Sequence, residues 1–326
     1  MRPIGARLFQ RNYFNHMMSR HKRPSQPLPF KLTTRDLDVL KSVYHHRFLT
    51  AAHIHTLHFH PSSIRVAQIR LQYLWAANLL DRTYLTPELP DVRDRYVEQP
   101  LYSIATRGAF HLEEAIGKPM WQISHTKAQN QRGFAKMRHN LVFADLATSF
   151  EAFAKRNPPW LATVTREDVL QNQVGAGKTR KGAIVPDGAT TLAHSAFAKP
   201  QTLLVEVVRA RVRAGNDSIR RKMLRYREAL RVGFFRNTYG FDWVRNVLFL
   251  TTTMARAKNL AALARNIPGA ENLFRFGAYE TRESNRVAPK TLLTPERLGE
   301  PVLITPSGRA ISFLPPFSNP STPQHV

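Results

Sequence analysis

The sequence predicts a mixed α+β to α/β protein in two folded parts: a helical module closed by a β-hairpin, then a larger domain of strands and helices. Three observations lead there. A length of 326 residues exceeds the usual size of one domain, and 43% hydrophobic residues suffices for two cores. The apolar pattern has helical spacing up to about Trp75 and becomes strand-like from Thr163 onward. A polar stretch, Ser124 to Arg132, lies between and reads as a linker. The expected bounds are a basic arm over residues 1–30, the first module over 31–120, a linker over 121–133, the α/β domain over 134–280 and a largely irregular extension over 281–326.

Pro24, Pro27 and Pro29 break any helix before the first periodic segment, so folded structure is expected from near Phe30. Thr34 is placed to cap a helix carrying Leu37, Leu40, Val43 and Tyr44, and Thr50 a second through Ala51, Ile54 and Leu57. Pro61, Ser62 and Ser63 open a third, with Ile64, Ala67, Leu71, Leu74 and Trp75 on one face and Arg65, Ile69, Gln72 and Tyr73 on the other. Two strand-like pieces follow, Arg82 to Thr86 and Leu101 to Thr106, around a polar stretch with Pro87, Pro90 and Asp91. Three short helices with a hairpin directly behind the third form the pattern of a winged helix-turn-helix.

A long helix from Phe134 to Phe153 then turns Val142, Leu146, Phe150 and Phe153 inward. Strands are expected at Thr163 to Leu170, Ala183 to Thr190 and Thr202 to Val208, the last a nearly continuous apolar run broken by Glu206. Asp217 or Ser218 caps a helix whose stripe is Ile219, Met223, Tyr226 and Leu230. A buried strand at Val244 to Thr251, a helix at Ala255 to Ala264 and a short strand at Leu273 to Phe276 complete the domain. After Leu314, Pro315, Pro316, Pro320 and Pro323 mark a tail expected to be disordered.

Charge narrows the class of partner. The chain has 48 Lys and Arg against 23 Asp and Glu, a formal +25, which repels itself unless a polyanion relieves it. Double-stranded DNA is therefore the first partner to consider and an anionic membrane the second. The most apolar segments, such as Val244 to Thr251, are strand-sized, so no membrane anchor is expected. The absence of cysteine excludes disulfides, Cys-based zinc sites and thiol catalysis, and it fits a reducing cytoplasm. Arg2, Arg7, Arg11, Arg20, Lys22 and Arg23 precede the first acid, Asp36, a pattern shared by organelle transit peptides and DNA-gripping arms. The continuing excess of positive charge favours the arm.

A helix in the major groove needs donors on its exposed face and phosphate contacts beside it. Arg65, Gln68, Arg70 and Gln72 supply the donors, and Arg82, Arg93 and Arg95 of the hairpin could grip backbone. The bland alternative is a solvated basic helix. His45, His46, His53, His55, His58 and His60 have ligand-like spacings, but on a helix His53, His55 and His58 point three ways and no carboxylate joins them. Gly175, Ala176, Gly177, Lys178 and Thr179 look like the end of a P-loop, yet Asn172 stands where another glycine belongs and a strand follows instead of a helix.

Pro186, Asp187 and Gly188 on the second strand face Glu206 on the third. A carboxylate among Leu203, Leu204, Val205, Val207 and Val208 is costly unless paired, protonated or metal-bound. Asp187 and Glu206 could hold Mg²⁺ against a phosphodiester, the metal activating water. This arrangement resembles the PD-(D/E)XK nucleases, implying a restriction-endonuclease-like α/β domain. That pattern places Lys two residues after the Glu, where this chain has Val208. Lys222 and Tyr226, one turn apart on the next helix, could reach the site, with Lys222 as the substitute; His139 could approach from the preceding helix. The structural alternative is a salt bridge and a core tyrosine.

The order winged helix, linker, VPDG, LLVEV, then SIRRKMLRY and VLFLTT resembles the replication-relaxation family over roughly Leu32 to Phe276. The resemblance implies a bacterial DNA-binding accessory of plasmid or integrative-element replication or relaxosome-type mobilisation, with a relaxase or replication initiator as candidate partner. A homodimer is a candidate assembly. In that family the position of Val208 is often acidic, so loss of the nuclease lysine is in keeping, and valine is a further departure. No cofactor is then required, and Mg²⁺ enters only if the site is active. Arg209, Arg211, Arg213, Arg220, Arg221, Arg225 and Arg227 crowd behind the Glu206 strand and suit a DNA-docking platform. A Mg²⁺-dependent endonuclease using Asp187, Glu206 and Lys222 and a winged-helix transcriptional regulator are the competing readings.

Overall fold

The computed structural model describes residues 22–27, 31–85, 96, 99–119, 134–174, 183–208, 216–281 and 290–314. These fall into two compact units, one before residue 120 and one from Phe134 onward. Together they make a mixed α and β protein, and among the described residues no helix is long and apolar enough to cross a membrane.

The first unit opens with α1, Thr34–His46. Its cap is Thr33, one residue earlier than expected: the Asp36 backbone N–H donates to the Thr33 hydroxyl and the Thr33 N–H donates to the Asp36 carboxylate at 2.7 Å. Strand β1, Leu49–Thr50, leads into α2, Ala51–His58, which Thr50 caps reciprocally with His53. Helix α3, Ile64–Ala76, packs on α2 and buries Ala67, Leu71, Leu74 and Trp75, as α1 buries Val39, Leu40 and Val43 and α2 buries Ile54. Ile64, expected on that inner face, is instead exposed. The chain turns at Asn78 with φ 60°, a left-handed conformation that asparagine tolerates.

Strands β2, Leu80–Tyr84, and β3, Pro100–Ile104, then pair antiparallel, and β1 adds to the far edge of β3. The sequence reading missed both β1, which is too short for a period, and helix α4, Thr106–Ile116. Helix α4 packs so closely that a Cβ on Gly108 would lie 2.0 Å from the Leu79 carbonyl oxygen.

The second unit opens on α5, Phe134–Arg156, with Val142, Leu146 and Phe150 fully buried. Then come β4, Leu161–Arg166; α6, Glu167–Gln173; β5, Gly188–Ala193; β6, Gln201–Val207; α7, Asn216–Arg231; α8, Phe234–Tyr239; and β7, Val244–Thr251. Helices α9, Met254–Ala264, and α10, Ala270–Leu273, lead into β8, Phe274–Ala278. A small ladder of β9, Glu280–Thr281, and β10, Lys290–Thr291, precedes β11, Leu303–Ile304, and β12, Ala310–Ile311.

The seven-stranded sheet runs β12-β11-β8-β7-β6-β5-β4. Its centre, β6-β7-β8, is parallel, as helical crossovers through α7, α8 and α9 require, while β4, β5, β11 and β12 pair antiparallel at the sides. Leu204, Val247, Phe249, Phe274 and Phe276 pack on Met223, Tyr226, Phe235 and Leu260 to form the core of one face.

Several boundaries differ from expectation. The strand read as Thr163 to Leu170 stops at Arg166, because Glu167 and Asp168 start α6, where acids suit the positive helix end. Residues 183–187 lie outside the ladder that begins at Gly188, since Pro186 has no N–H to donate. Past residue 280, read as an irregular extension, β11 and β12 extend the sheet.

Candidate functional site

Two regions carry the chemistry, one in each unit. In the second, the antiparallel register sets Gly188 opposite Val205 and so brings Asp187 alongside Glu206. The glycine is required there: a Cβ on Gly188 would lie 2.2 Å from the Phe143 ring of α5. Asp187 closes the ladder from both ends of its residue, its N–H donating to Val205 O at 3.0 Å and its Oδ2 accepting the Val207 N–H at 2.7 Å. Its Oδ1 meets His139 Nε2 of α5 at 2.9 Å, while His139 Nδ1 is buried without a hydrogen-bond partner.

Glu206 is 2% exposed. Lys222 Nζ donates to its Oε2, and the Tyr226 hydroxyl donates to its Oε1. The two donors stand one turn apart on α7, as the i, i+4 spacing requires. Tyr226 is fully buried, stacked on Phe235 with centroids 5.8 Å apart. Val208 lies one residue past β6, its N–H on Leu250 O at 2.7 Å, and contributes an apolar wall.

A cleft of about 380 Å³ opens over these groups, and Lys136, Glu167 and Ser218 join its walls. Sequence reasoning missed these three, because they come from α5, α6 and the first turn of α7 and no spacing links them.

Burial and the neighbouring Asp187 charge push the Glu206 pKa up to about 8, against the pull of Lys222 and Tyr226. For Asp187, burial is outweighed by the hydrogen bond and charge of His139, by Lys222 and by the Val207 N–H, and the pKa is lowered. Lys222 likewise loses solvation, but Glu206 and Asp187 more than offset that and raise its pKa. Burial, then Glu206, holds Tyr226 well above the ordinary phenol range, so it remains a donor.

For a divalent ion such as Mg²⁺ this donor set does not fit. All four oxygens of Asp187 and Glu206 already accept from groups of the chain. An ammonium lies against the more buried acid, where a divalent ion would have to sit, and among the described residues no three His, Asp or Glu side chains gather around a common point.

In the first unit the outer side of α3 exposes Arg65 and Gln68 together with Ile64 and Val66, 42% and 54% exposed. Gln72 is half-buried. Arg70, expected among the outward donors, turns inward instead. Its Nε donates to Asp36 Oδ1 at 2.7 Å and its Nη2 to Asp36 Oδ2, tying α3 to α1. Arg82 of β2 lies over the Trp75 ring, 3.8 Å from its centroid. Arg23, counted with the basic arm, donates to Asn78 Oδ1, Leu80 O and Asp81 Oδ1 at 2.7, 2.6 and 2.9 Å.

Arg221 and Arg225 are exposed on α7, with hydrogen bonds to the carbonyls of Asp217 and Ala183. Arg93, Arg95, Arg209, Arg211 and Arg213 lie outside the described residues, as do residues 1–21 and 28–30 of the arm and the glycines at 175 and 177. The histidines have local roles: His53 caps α2, His58 meets Ser42 at 2.8 Å, and His55 meets the His60 carbonyl at 3.0 Å.

Residues 40–244 match the family model described as Replication-relaxation. No curated protein matches the chain.

Proposed function

The chain belongs to the replication-relaxation family, and from that premise we propose that it is a DNA-binding accessory protein of plasmid or integrative-element replication or mobilisation. In this reading the first unit is a winged helix that engages duplex DNA through α3. The second is a restriction-endonuclease-like platform that binds without cutting, and a relaxase or replication initiator is the protein it serves.

The observation that carries the reading is the exposed start of α3. Arg65, Val66 and Gln68 stand out from a helix that contains no acid, and the antiparallel β2–β3 hairpin follows directly behind. Arginine and glutamine are suited to purine edges in the major groove, and the charge of +25 supplies the phosphate attraction. A metal-dependent endonuclease is the second reading, favoured by the convergence of Asp187, Glu206 and Lys222 in one cleft. Against it stand the Lys222 ammonium on Glu206 and the chain donors already placed on each carboxylate oxygen.

The test is to select bound duplexes from a random library and compare them with unselected DNA in gel-shift titrations. Arg65→Ala and Gln68→Ala should each reduce the preference for the selected site by ~1 to 3 kcal/mol. Equal losses on both DNAs would make them phosphate contacts, and no loss would remove α3 from the interface.

A further inference from the structure

Two acids side by side, Glu206 buried in β6 and Asp187 just before β5 with its side chain 16% exposed, repel each other and are costly to desolvate. Something cationic must hold them. In metal-dependent phosphodiester chemistry that part falls to a divalent ion bound by the carboxylates. Here Val208 of the strand offers nothing, and the charge arrives from α7: the Lys222 ammonium lies on Glu206 Oε2 and within electrostatic reach of Asp187.

Lys222 is 42% exposed in its side chain while the oxygen it meets is buried, so the ammonium sits where the cleft opens onto the acid pair. His139 holds the outer oxygen of Asp187, and Tyr226 holds the inner oxygen of Glu206 from the core. Lys222 is thus the cation that faces both acids from the cleft.

We propose that Lys222 is a tethered replacement for a divalent ion, and that removing its charge would turn the Asp187–Glu206 pair into a divalent-cation site. The ammonium cancels repulsion and anchors α7 to the sheet, but it carries a single charge and cannot coordinate a water. Without it Glu206 Oε2 loses its donor and the lone pairs left on both carboxylates face the cleft with no charge to balance them, which suits a hard cation of charge two. The proposal deepens the non-cutting reading of the cleft and is independent of DNA binding, so its test contains no DNA.

The melting temperature of the full chain would be measured in EDTA, in millimolar MgCl₂ and in millimolar MnCl₂. The wild type should melt alike in all three. Lys222→Ala should melt several degrees lower in EDTA and regain most of that loss with Mn²⁺ or Mg²⁺, by linkage of binding to folding. The gain should vanish in the double variant Lys222→Ala, Glu206→Gln. Lys222→Met, which keeps the alkyl stem, carries the same expectation should the alanine variant fail to fold in EDTA. Lys222→Arg should stay indifferent to the ions.

Stabilisation of the wild type by Mg²⁺ to the same degree would overturn the proposal. So would a folded Lys222→Met indifferent to both ions, or loss of fold in both lysine variants whether or not ions are present. Failure here, with DNA binding intact, would leave the α3 interface standing.

Discussion

Both units bury a carboxylate under a cation carried by a helix, and they settle it differently. Asp36 is 0% exposed and accepts from the Arg70 guanidinium, the Thr33 hydroxyl and the Thr33 N–H, with no second acid in the set. Burial alone would raise its pKa, but Arg70 and Thr33 outweigh burial and lower it. Glu206 has two donors of its own, yet Asp187 stands beside it and its pKa rises to about 8. The first arrangement is what a buried acid needs to hold structure together. The second sets a like-charged neighbour beside the buried acid, and the one Lys222 ammonium serves both.

Substitution of either acid tests this difference. The largest effect should come from Asp36→Ala, which removes the reciprocal α1 cap and leaves Arg70 without its carboxylate. Loss of one member of such a buried pair costs ~3 to 5 kcal/mol. Urea denaturation read by hydrogen exchange over residues 34–76 would measure it, and a loss below ~1 kcal/mol would place Asp36 with surface ion pairs.

A smaller effect of opposite sign is expected from Glu206→Gln. Because its folded pKa stands above the ordinary 4.5, the folded state holds a proton there that the unfolded state releases between pH 4.5 and about 8. The stability contributed by Glu206 is therefore present below 4.5 and lost as pH rises through about 8. Asp36 runs the other way: its lowered pKa contributes stability above the ordinary 3.8, lost as pH falls through the folded value. The glutamine variant should lack the loss between pH 5 and 8 and gain on the order of 1 kcal/mol over wild type at the upper end. Parallel stability–pH curves for wild type and variant would show Glu206 to be as settled as Asp36.

Where periodicity or an incongruous residue marked a position, the sequence was legible. The first three helices of the first unit, the β2–β3 hairpin and the central strands follow from apolar spacing, and Glu206 stood out as an acid in an apolar run. Lys222 and Tyr226 followed from helical spacing; Lys222 is an ion pair that also lines the cleft, and Tyr226 a core tyrosine that meets Glu206 from behind. Arg70 was misjudged because its partner, Asp36, is 34 residues away and the helix stripe gives no sign of it. Helix α6 was hidden because Val164, Val169 and Leu170 mimic a strand pattern, while the acids at its start matter only to the helix end. Lys136, Glu167 and Ser218 were invisible, since only the fold brings α5, α6 and α7 around one cleft.

We propose that the second unit binds DNA without cutting it. Supercoiled plasmid incubated with the purified full chain, with and without Mg²⁺ or Mn²⁺, tests it directly, alongside Asp187→Ala and Glu206→Ala as controls. The expected result is retarded, intact DNA in every arm. Metal-dependent nicking by the wild type that disappears in both alanine variants would contradict it.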